Sequence, residues 1–305
     1  MKKFVIIDAL AILYRAWHAL PKLTNKEGKI INAVYGFSSF LLKTLKEEKP
    51  DYLAVAYDTK TPSIRKKEFK EYKANRIPQP QEFYDQIPLS KKVLEAFSIN
   101  FFSLEGQEAD DLISSIAKRC QKLIKPYEII IFTGDKDMLQ LINKKVKVAL
   151  LKQNISQTKI YDKNKVKNEY SGLSPKQLID FKALVGDSAD NIPGVKGIGP
   201  HLATFLLKKY DNLENLYELI EKKKIKKEEI KEKILNALIK EKERAFLFKR
   251  LIKLKDDLNL KNFKLESCHL RKIDKEKIKK LFSEIGFKSL ISRVEMLNSQ
   301  QKSLF

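Results

Sequence analysis

Acidic residues follow the apolar runs of the first half of the chain, where strands of a sheet would end. Asp8 ends the run FVIID, Asp58 ends YLAVAYD, and two more acids stand in IIIFTGDKD. The carboxyl ends of parallel strands meet at one edge of an open α/β sheet, where such folds place their ligand sites. GQEADD adds three acids at the start of a predicted helix, and VGDSAD adds two after a later helix. The acids predicted to gather there are Asp8, Asp58, Glu108, Asp110, Asp111, Asp135, Asp137, Asp187 and Asp190.

This cluster of acids predicts a site for divalent metal ions. Carboxylates so close together repel one another and raise one another's pKa values unless cations neutralise them. The three histidines are scattered, so the ligands are oxygens, which favours Mg²⁺ or Mn²⁺ over zinc. Two such ions ~4 Å apart can activate a water and stabilise the departing oxygen of an in-line phosphoryl displacement. For any single aspartate, a helix N-cap is an equally good interpretation.

Other active-site chemistries find no support in the sequence. A phosphatase with an aspartate nucleophile would need a second aspartate two residues after Asp8, where the chain has Leu10. The chain contains no GxxxxGK[ST] loop and no GxSxG elbow. Its two cysteines, Cys120 and Cys268, are far apart and outside any CxxC pair, which argues against a disulfide scaffold or a zinc ribbon.

The charge balance indicates a polyanionic partner. Lys and Arg number 61 against 39 Asp and Glu, a net charge of +22. Basic residues that contact phosphates release condensed counterions, so nucleic acid is the expected partner; a Lys-rich proteome with solvated lysines is the alternative. Asp8 and Arg15 interrupt the apolar N-terminal run, and no apolar stretch approaches the ~20 residues that span a bilayer. We expect a cytoplasmic protein without a membrane partner.

Alternating strand and helix patterns predict a mostly parallel sheet with helices on both faces over residues 1–170. β-Branched and aromatic residues predict strands at 4–7, 52–57 and 128–133, with weaker ones at 100–102 and 146–151. Helical spacing of apolar residues predicts helices at 33–47, 87–97 and 110–122. Residues 171–295 are predicted to be helical, with helices at 174–185 and 201–209.

The stretch 193–200, PGVKGIGP, is predicted to form a Gly-rich hairpin between two helices. Glycines let the backbone approach a phosphate, and a helix that begins near His201 points its amide groups at it. A linker without a ligand is the alternative. The DNA-backbone contacts predicted here are Gly194, Lys196, Gly197 and Gly199.

The chain resembles the 5′-nuclease family of 5′–3′ exonucleases and flap endonucleases, which includes the N-terminal nuclease domain of bacterial DNA polymerase I. The motifs occur in family order over residues 4 to 295: LYRAWHA, LTNKEGKIINAVYGF, AVAYD, EYKANR, EGQEADD, FTGDKDMLQL and ALVGDSADNIPGVKGIGP. Asp8-Ala9-Leu10 departs from the Asp-Gly-Ser or Asp-Gly-Asn that the family usually has. The resemblance implies a PIN-like α/β fold and a helix–three-turn–helix module.

The resemblance also implies a structure-selective DNA 5′-nuclease that acts on 5′ flaps, nicks and 5′ ends in replication and repair. Asp8, Asp58, Glu108 and Asp110 match the acids that hold the first ion, with Asp110 shared between sites. Those that match the second ion's ligands are Asp135, Asp137 and Asp190, with Asp111 and Asp187 as supporting acids. Bound K⁺ is implied at the helix–three-turn–helix.

Residues 59–86 match the family's arch, through which a single-stranded 5′ end passes. By that resemblance Lys73 and Arg76 act beside the scissile phosphate and offset developing charge. Tyr72 is expected to stack on a base, and Arg65 to contact DNA. An ordinary charged surface helix is the alternative interpretation of this segment.

The last residues, 296–305, resemble a flexible tail with a docking peptide for the bacterial sliding clamp. Gln301, Leu304 and Phe305 are its key positions, and a frayed polar terminus is the alternative. We expect a free-standing nuclease whose polymerase partner is a separate protein. Two other functions remain open: a DNA-structure-binding protein without hydrolysis, and a ribonuclease of the related small acidic-site fold.

Overall fold

A computed structural model describes residues 2–123, 127–152, 157–225, 230–261 and 263–297. Within these ranges one sheet runs in the order β3-β2-β1-β4-β5-β6. Its first five strands are parallel, and β6 is antiparallel to β5. The strands are β1 (Lys2–Asp8), β2 (Tyr52–Ala56), β3 (Phe101–Phe102), β4 (Tyr127–Thr133), β5 (Val146–Leu151) and β6 (Thr158–Tyr161).

Helices of the first half connect these strands and cover the sheet. They are α1 (Ala9–Ala19), α2 (Asn32–Glu48), α3 (Ile64–Glu68), α4 (Gln81–Tyr84), α5 (Gln86–Ala96), α6 (Ala109–Leu123) and α7 (Lys163–Glu169), with a 3₁₀ helix at Lys136–Leu141. The predicted arch, residues 59–86, therefore consists of two short helices and the turn between them.

Both faces of the sheet are buried, as expected for parallel strands. In β1, Phe4 and Ile6 point to one face and join a core that includes residues of α6. Val5 and Ile7 point to the other face, against α1 and α2. All four side chains are fully buried. The mostly parallel sheet with helices on both faces is confirmed.

The second half is helical. Its elements are α8 (Gln177–Val185), α9 (Pro200–Tyr210), α10 (Leu213–Glu221), α11 (Glu232–Lys240), α12 (Lys242–Ile252), a 3₁₀ helix at Leu265–Cys268, α13 (Lys275–Ile285) and α14 (Lys288–Glu295). The helix prediction at 174–185 begins early, since α8 starts at Gln177.

The last two helices return to the α/β domain. Phe282 of α13 packs against Phe97, and Leu290 of α14 joins the core beside α2. Residues 275–295 thus differ from the prediction that 171–295 form one helical region, because their apolar faces are buried against α5 and α2. Gln301, Leu304 and Phe305 lie outside the described residues. Within the described part of the chain, no helix is long and apolar enough to cross a membrane.

Candidate active site

The aspartates at the ends of β1 and β4 are held in place by helix caps. Asp8 is the N-cap of α1 and accepts hydrogen bonds from the Ala11 amide (3.0 Å) and the Thr133 hydroxyl (2.9 Å). Asp135 caps the 3₁₀ helix by accepting from the amide of Asp137 (2.7 Å). The N-cap interpretation is therefore correct for both residues, and the same caps fix their carboxylates at the sheet edge.

The start of α6 brings further acids to the same edge. The Ala109 amide donates to Asp58 Oδ1 (2.8 Å), which ties the end of β2 to the N-terminus of the helix. Glu108 and Asp110 flank that amide and are carried into the site with it. Burial, followed by the charges of Asp135 and Asp8, raises the pKa of Asp110 well above its ordinary value.

The gathered carboxylates disfavour one another's ionisation. Burial and then the charge of Asp58 raise the pKa of Asp8 to about 7. Asp58 itself lies on the solvent side of the site, and the protein packed around its carboxyl also raises its pKa. The pKa of Asp137 is raised to about 7, by burial first and by Asp135 and Asp190 next. Four segments distant in sequence thus place their acids within one another's electrostatic field.

Basic side chains neutralise part of the cluster. Lys73 Nζ lies 2.7 Å from Glu108 Oε2, and Arg76 lies 2.8 Å from Asp190 Oδ1. Burial alone would raise the pKa of Glu108, but Lys73 and then Arg65 lower it. The buried Asp190 still has a raised pKa.

Lys182 of α8 is a site residue that the sequence reasoning missed. Its ammonium contacts Asp137 and lies 2.7 Å from Asp187 Oδ2. The pKa of Asp187 is lowered because Lys182 outweighs the effect of burial. A lysine five residues before Asp187, in a helix that leads into VGDSAD, was the available signal.

The chemistry of this donor set fits hard divalent ions. Asp8, Asp58 and Asp110 have raised pKa values because burial, and after it the charges of neighbouring carboxylates, disfavour their ionised forms. A divalent cation would offset both effects, and the donors are all oxygens. Among the described residues, however, no three acids, histidines or cysteines close around a single point. The ion pairs of Lys73, Arg76 and Lys182 occupy oxygens of Glu108, Asp190 and Asp137, three acids of this cluster.

Two residues predicted to contact DNA are buried instead. Only 3% of Tyr72 is exposed, and its hydroxyl donates to Glu108 Oε2 and Asp190 Oδ2 (3.2 Å each). Arg65 is 5% exposed and makes a bidentate ion pair with Asp111 (2.6 and 2.7 Å). The structure therefore does not support base stacking by Tyr72 or a DNA contact by Arg65. It also turns Asp111 towards Arg65 instead of the acid cluster.

The Gly-rich hairpin combines a packed end with an open one. Gly194 is buried at φ +71°, and a Cβ there would lie 2.4 Å from the Gly186 nitrogen. Its glycine is thus required for packing, which corrects the prediction that Gly194 approaches DNA. Lys196, Gly197 and Gly199 are exposed, and a Cβ at Gly199 would meet nothing within 4 Å. The open surface directly precedes the N-terminus of α9.

Comparison with known families covers most of the chain. Residues 3–171 match the family model described as "5'-3' exonuclease, N-terminal resolvase-like domain", and residues 173–276 match "5'-3' exonuclease, C-terminal SAM fold". DNA polymerase I of Caldicellulosiruptor bescii is 43% identical over 294 residues, which cover 96% of this chain and 33% of that protein. The chain spans about a third of the polymerase relatives that it matches.

A relative that matches over its full length and a solved structure of the same fold indicate more closely which class of protein this chain belongs to. The 5'-3' exonuclease of Aquifex aeolicus is 34% identical, and the match covers 100% of both chains. The bacteriophage T5 flap endonuclease, solved with DNA and metal ions, has the same fold at 18% identity, with a TM-score of 0.68 and coverage of 97% and 98%. The fold and the acid-lined edge define a nuclease. The chain belongs to the 5′–3′ exonuclease and flap endonuclease family.

Proposed function

We propose that this chain hydrolyses phosphodiester bonds near the 5′ ends of DNA, at flaps and nicks, with two Mg²⁺ ions. The observation that carries the proposal is the convergence of Asp8, Asp58 and Asp110 at one sheet edge with raised pKa values. Mn²⁺ has the same ligand preferences and is expected to substitute. The T5 relative, solved with DNA and metal ions, supports the assignment.

We propose that the acids divide between two ions as the family resemblance implies. Asp8, Asp58, Glu108 and Asp110 would hold the first ion, with Asp110 facing both. When bound, such ions supply an activated water and stabilise the leaving oxygen. The acids proposed for the second ion are Asp135, Asp137 and Asp190, with Asp187 beside them.

The duplex is proposed to bind at the open end of the hairpin. Lys196 supplies positive charge, while Gly197 and Gly199 leave the backbone accessible to a phosphate. The N-terminus of α9 adds amide donors and a favourable dipole. We propose that the hairpin would also hold K⁺, which would supply further positive charge for a DNA phosphate. Contacts of this kind are independent of base sequence, so substrate choice would follow DNA shape.

The basic side chains of the arch are proposed to act on the scissile phosphate. Arg76 is half exposed on the solvent side of Asp190, and Lys73 lies deeper, on Glu108. Binding of divalent ions to these acids would free both side chains to approach the phosphate and stabilise its developing charge. Cleavage would leave a 5′ phosphate on one product and a 3′ hydroxyl on the other.

Cleavage of a labelled 5′-flap duplex tests the proposal. The reaction is run with Mg²⁺, with Mn²⁺, with EDTA and with Asp110→Ala, and flap affinity is measured in parallel. We expect metal-dependent cutting near the flap junction that Asp110→Ala loses while flap affinity is retained. Tight flap binding by the wild type without cutting in either metal would instead establish a DNA-structure-binding protein.

The C-terminal tail and the polymerase relatives suggest partners. Residues 301–305 read QKSLF, in which Leu304 and Phe305 would enter an apolar groove of the sliding clamp. Several relatives join a matching region to a DNA polymerase, so we propose that a polymerase supplies the flap. Deleting residues 301–305 should abolish clamp binding and leave flap cleavage intact. Clamp affinity that survives the deletion would refute the tail's role.

A further inference from the structure

The turn of the arch formed by residues 71–76 lies against the loop of residues 187–191. The Lys73 amide donates to the Asp190 carbonyl (3.0 Å), and the Asp190 carboxylate accepts from Tyr72 and Arg76. We call these segments the arch turn and the acid loop. This contact places Lys73 and Arg76 of the arch turn beside Asp190 of the acid loop, a proposed metal ligand.

Two asparagines, one in each segment, donate side-chain hydrogen bonds to the backbone of the other segment. Asn75 of the arch turn donates through Nδ2 to the Ser188 carbonyl (2.7 Å). Asn191 of the acid loop donates through Nδ2 to the Glu71 carbonyl (2.8 Å). Because carbonyls only accept, each amide must present its nitrogen, which fixes the orientation of both side chains. The two bonds join the ends of the arch turn to the ends of the acid loop.

The backbone at this contact is strained on both sides. Lys73 has φ +54° and Asn191 has φ +57°, in the left-handed region that residues other than glycine rarely adopt. Such conformations persist where the surrounding structure holds them. At Lys73 this conformation accompanies both the amide bond to Asp190 and the ammonium contact with Glu108. The two asparagine bonds lie on either side of this strained residue in the contact.

The acid loop also continues into the duplex-binding hairpin. Asp187 and Ile192 exchange backbone hydrogen bonds (2.7 and 2.8 Å) that close the loop at its base. Gly186 and Gly194 pack so tightly there that neither position has space for a Cβ. The loop is thus a rigid connection between the hairpin surface at residues 196–199 and the arch turn.

We propose that Asn75 and Asn191 are positioning residues that hold the arch turn against the acid loop. They keep Lys73 and Arg76 over the acids, so a duplex bound at the hairpin finds these basic groups already in place. The inference rests on the proposed function for its catalytic consequence. The structural part, an ordered arch turn in the DNA-free protein, stands without it.

Hydrogen exchange of the DNA-free protein tests the structural part. The variants are Asn75→Ala, Asn191→Ala and the double variant. Asn100→Ala is the matched control, because Asn100 donates an exposed bond of the same kind to the Ser267 carbonyl, away from the site. In each of the first three, the amides of Lys73, Ala74 and Arg76 should exchange about tenfold faster than in wild type. Unchanged exchange at these amides would overturn the proposal.

Single-turnover cleavage of a 5′-flap duplex tests the consequence. We expect each single substitution to lower the rate at saturating enzyme about tenfold, with flap affinity within about twofold of wild type. Because both bonds hold one contact, the double variant should be little slower than the worse single variant. Multiplied effects, an unchanged rate despite faster exchange, or a loss of affinity in place of rate would each contradict the proposal. A wild type that does not cut flaps would refute the proposed function, and hydrogen exchange would still decide whether the two asparagines hold the arch turn against the acid loop.

Discussion

Asp110 and Asp111 are neighbours at the start of α6, yet their surroundings differ. Asp110 faces the sheet edge, where burial and then the charges of Asp135 and Asp8 raise its pKa, and within the described residues it makes no ion pair. Asp111 is buried on the other side of the helix in a bidentate pair with Arg65 and also accepts from the Lys255 amide. Among the described residues the Asp110 carboxylate thus has no ion-pair partner, whereas the Asp111 carboxylate has an ion pair and a backbone hydrogen bond. Adjacent acids in one motif can therefore have different electrostatic surroundings, and we propose that only Asp110 takes part in the chemistry.

Asp110→Asn should show the largest effect on turnover. The amide cannot supply the negative charge that a divalent ion requires, so we expect flap cleavage to fall about 10⁴-fold, or about 5.5 kcal/mol. Thermal stability in EDTA should not decrease, because the substitution removes a carboxylate that its neighbours repel. Cleavage time courses and melting curves check both. Activity within tenfold of wild type would place Asp110 outside the chemistry.

Asp111→Asn should give the opposite result. It removes the bidentate charge partner of the buried Arg65 guanidinium and leaves only the longer pair with Glu108 (3.5 Å), which costs about 3 kcal/mol of unfolding free energy. Well below its melting temperature, the variant should keep metal-dependent cleavage within about tenfold of wild type. Denaturant unfolding and flap cleavage, measured beside Asp110→Asn, give the contrast. Unchanged stability with lost cleavage would return Asp111 to the metal site.

Lys182→Met tests whether an internal cation substitutes for an ion. Its removal leaves Asp137 and Asp187 without their shared partner, so stability in EDTA should fall by about 2 kcal/mol. Mg²⁺ should then raise the melting temperature more in this variant than in wild type. Lys118→Met, which breaks an exposed pair with Asp256, is the control and should change neither value. An equal response to Mg²⁺ would mean that Lys182 and the ions do not share these acids.

The features that could be predicted from the sequence are those that a local pattern of residues determines. Apolar runs that end in aspartate located the strands and the acids at their ends, since strand identity and side-chain type are both local properties. The directions of Arg65 and Tyr72 depend on partners far away in sequence, at Asp111, Leu251 and Asp190. No pattern within residues 59–86 reveals those partners. For the same reason, the return of α13 and α14 to the first domain was missed.

The smallest expected effect is the pH dependence of stability, which again compares acids of the cluster that have raised pKa values with acids that are paired with basic side chains. Asp8 and Asp137 have pKa values raised to about 7 in the folded protein from an ordinary value of 3.8. The folded state therefore binds more protons than the unfolded state between these values, so stability in EDTA should fall as pH rises from 5 to 8. We expect a loss of about 1 to 2 kcal/mol, given the coupling between these acids.

The opposite dependence of Glu108 and Asp187, whose pKa values are lowered, belongs to a separate window. The stability that these two acids contribute is lost only as pH falls below about 4.5. Between pH 5 and 8, the change in stability therefore comes from the acids whose pKa values are raised. Saturating Mg²⁺ should flatten the slope in that range, because bound ions keep the carboxylates ionised, and Asp8→Asn should reduce it in EDTA. Denaturant unfolding at pH 5, 6.5 and 8 measures each slope. If neither Mg²⁺ nor Asp8→Asn changes the slope, the groups responsible for the pH dependence of stability are not the acids of the proposed metal site.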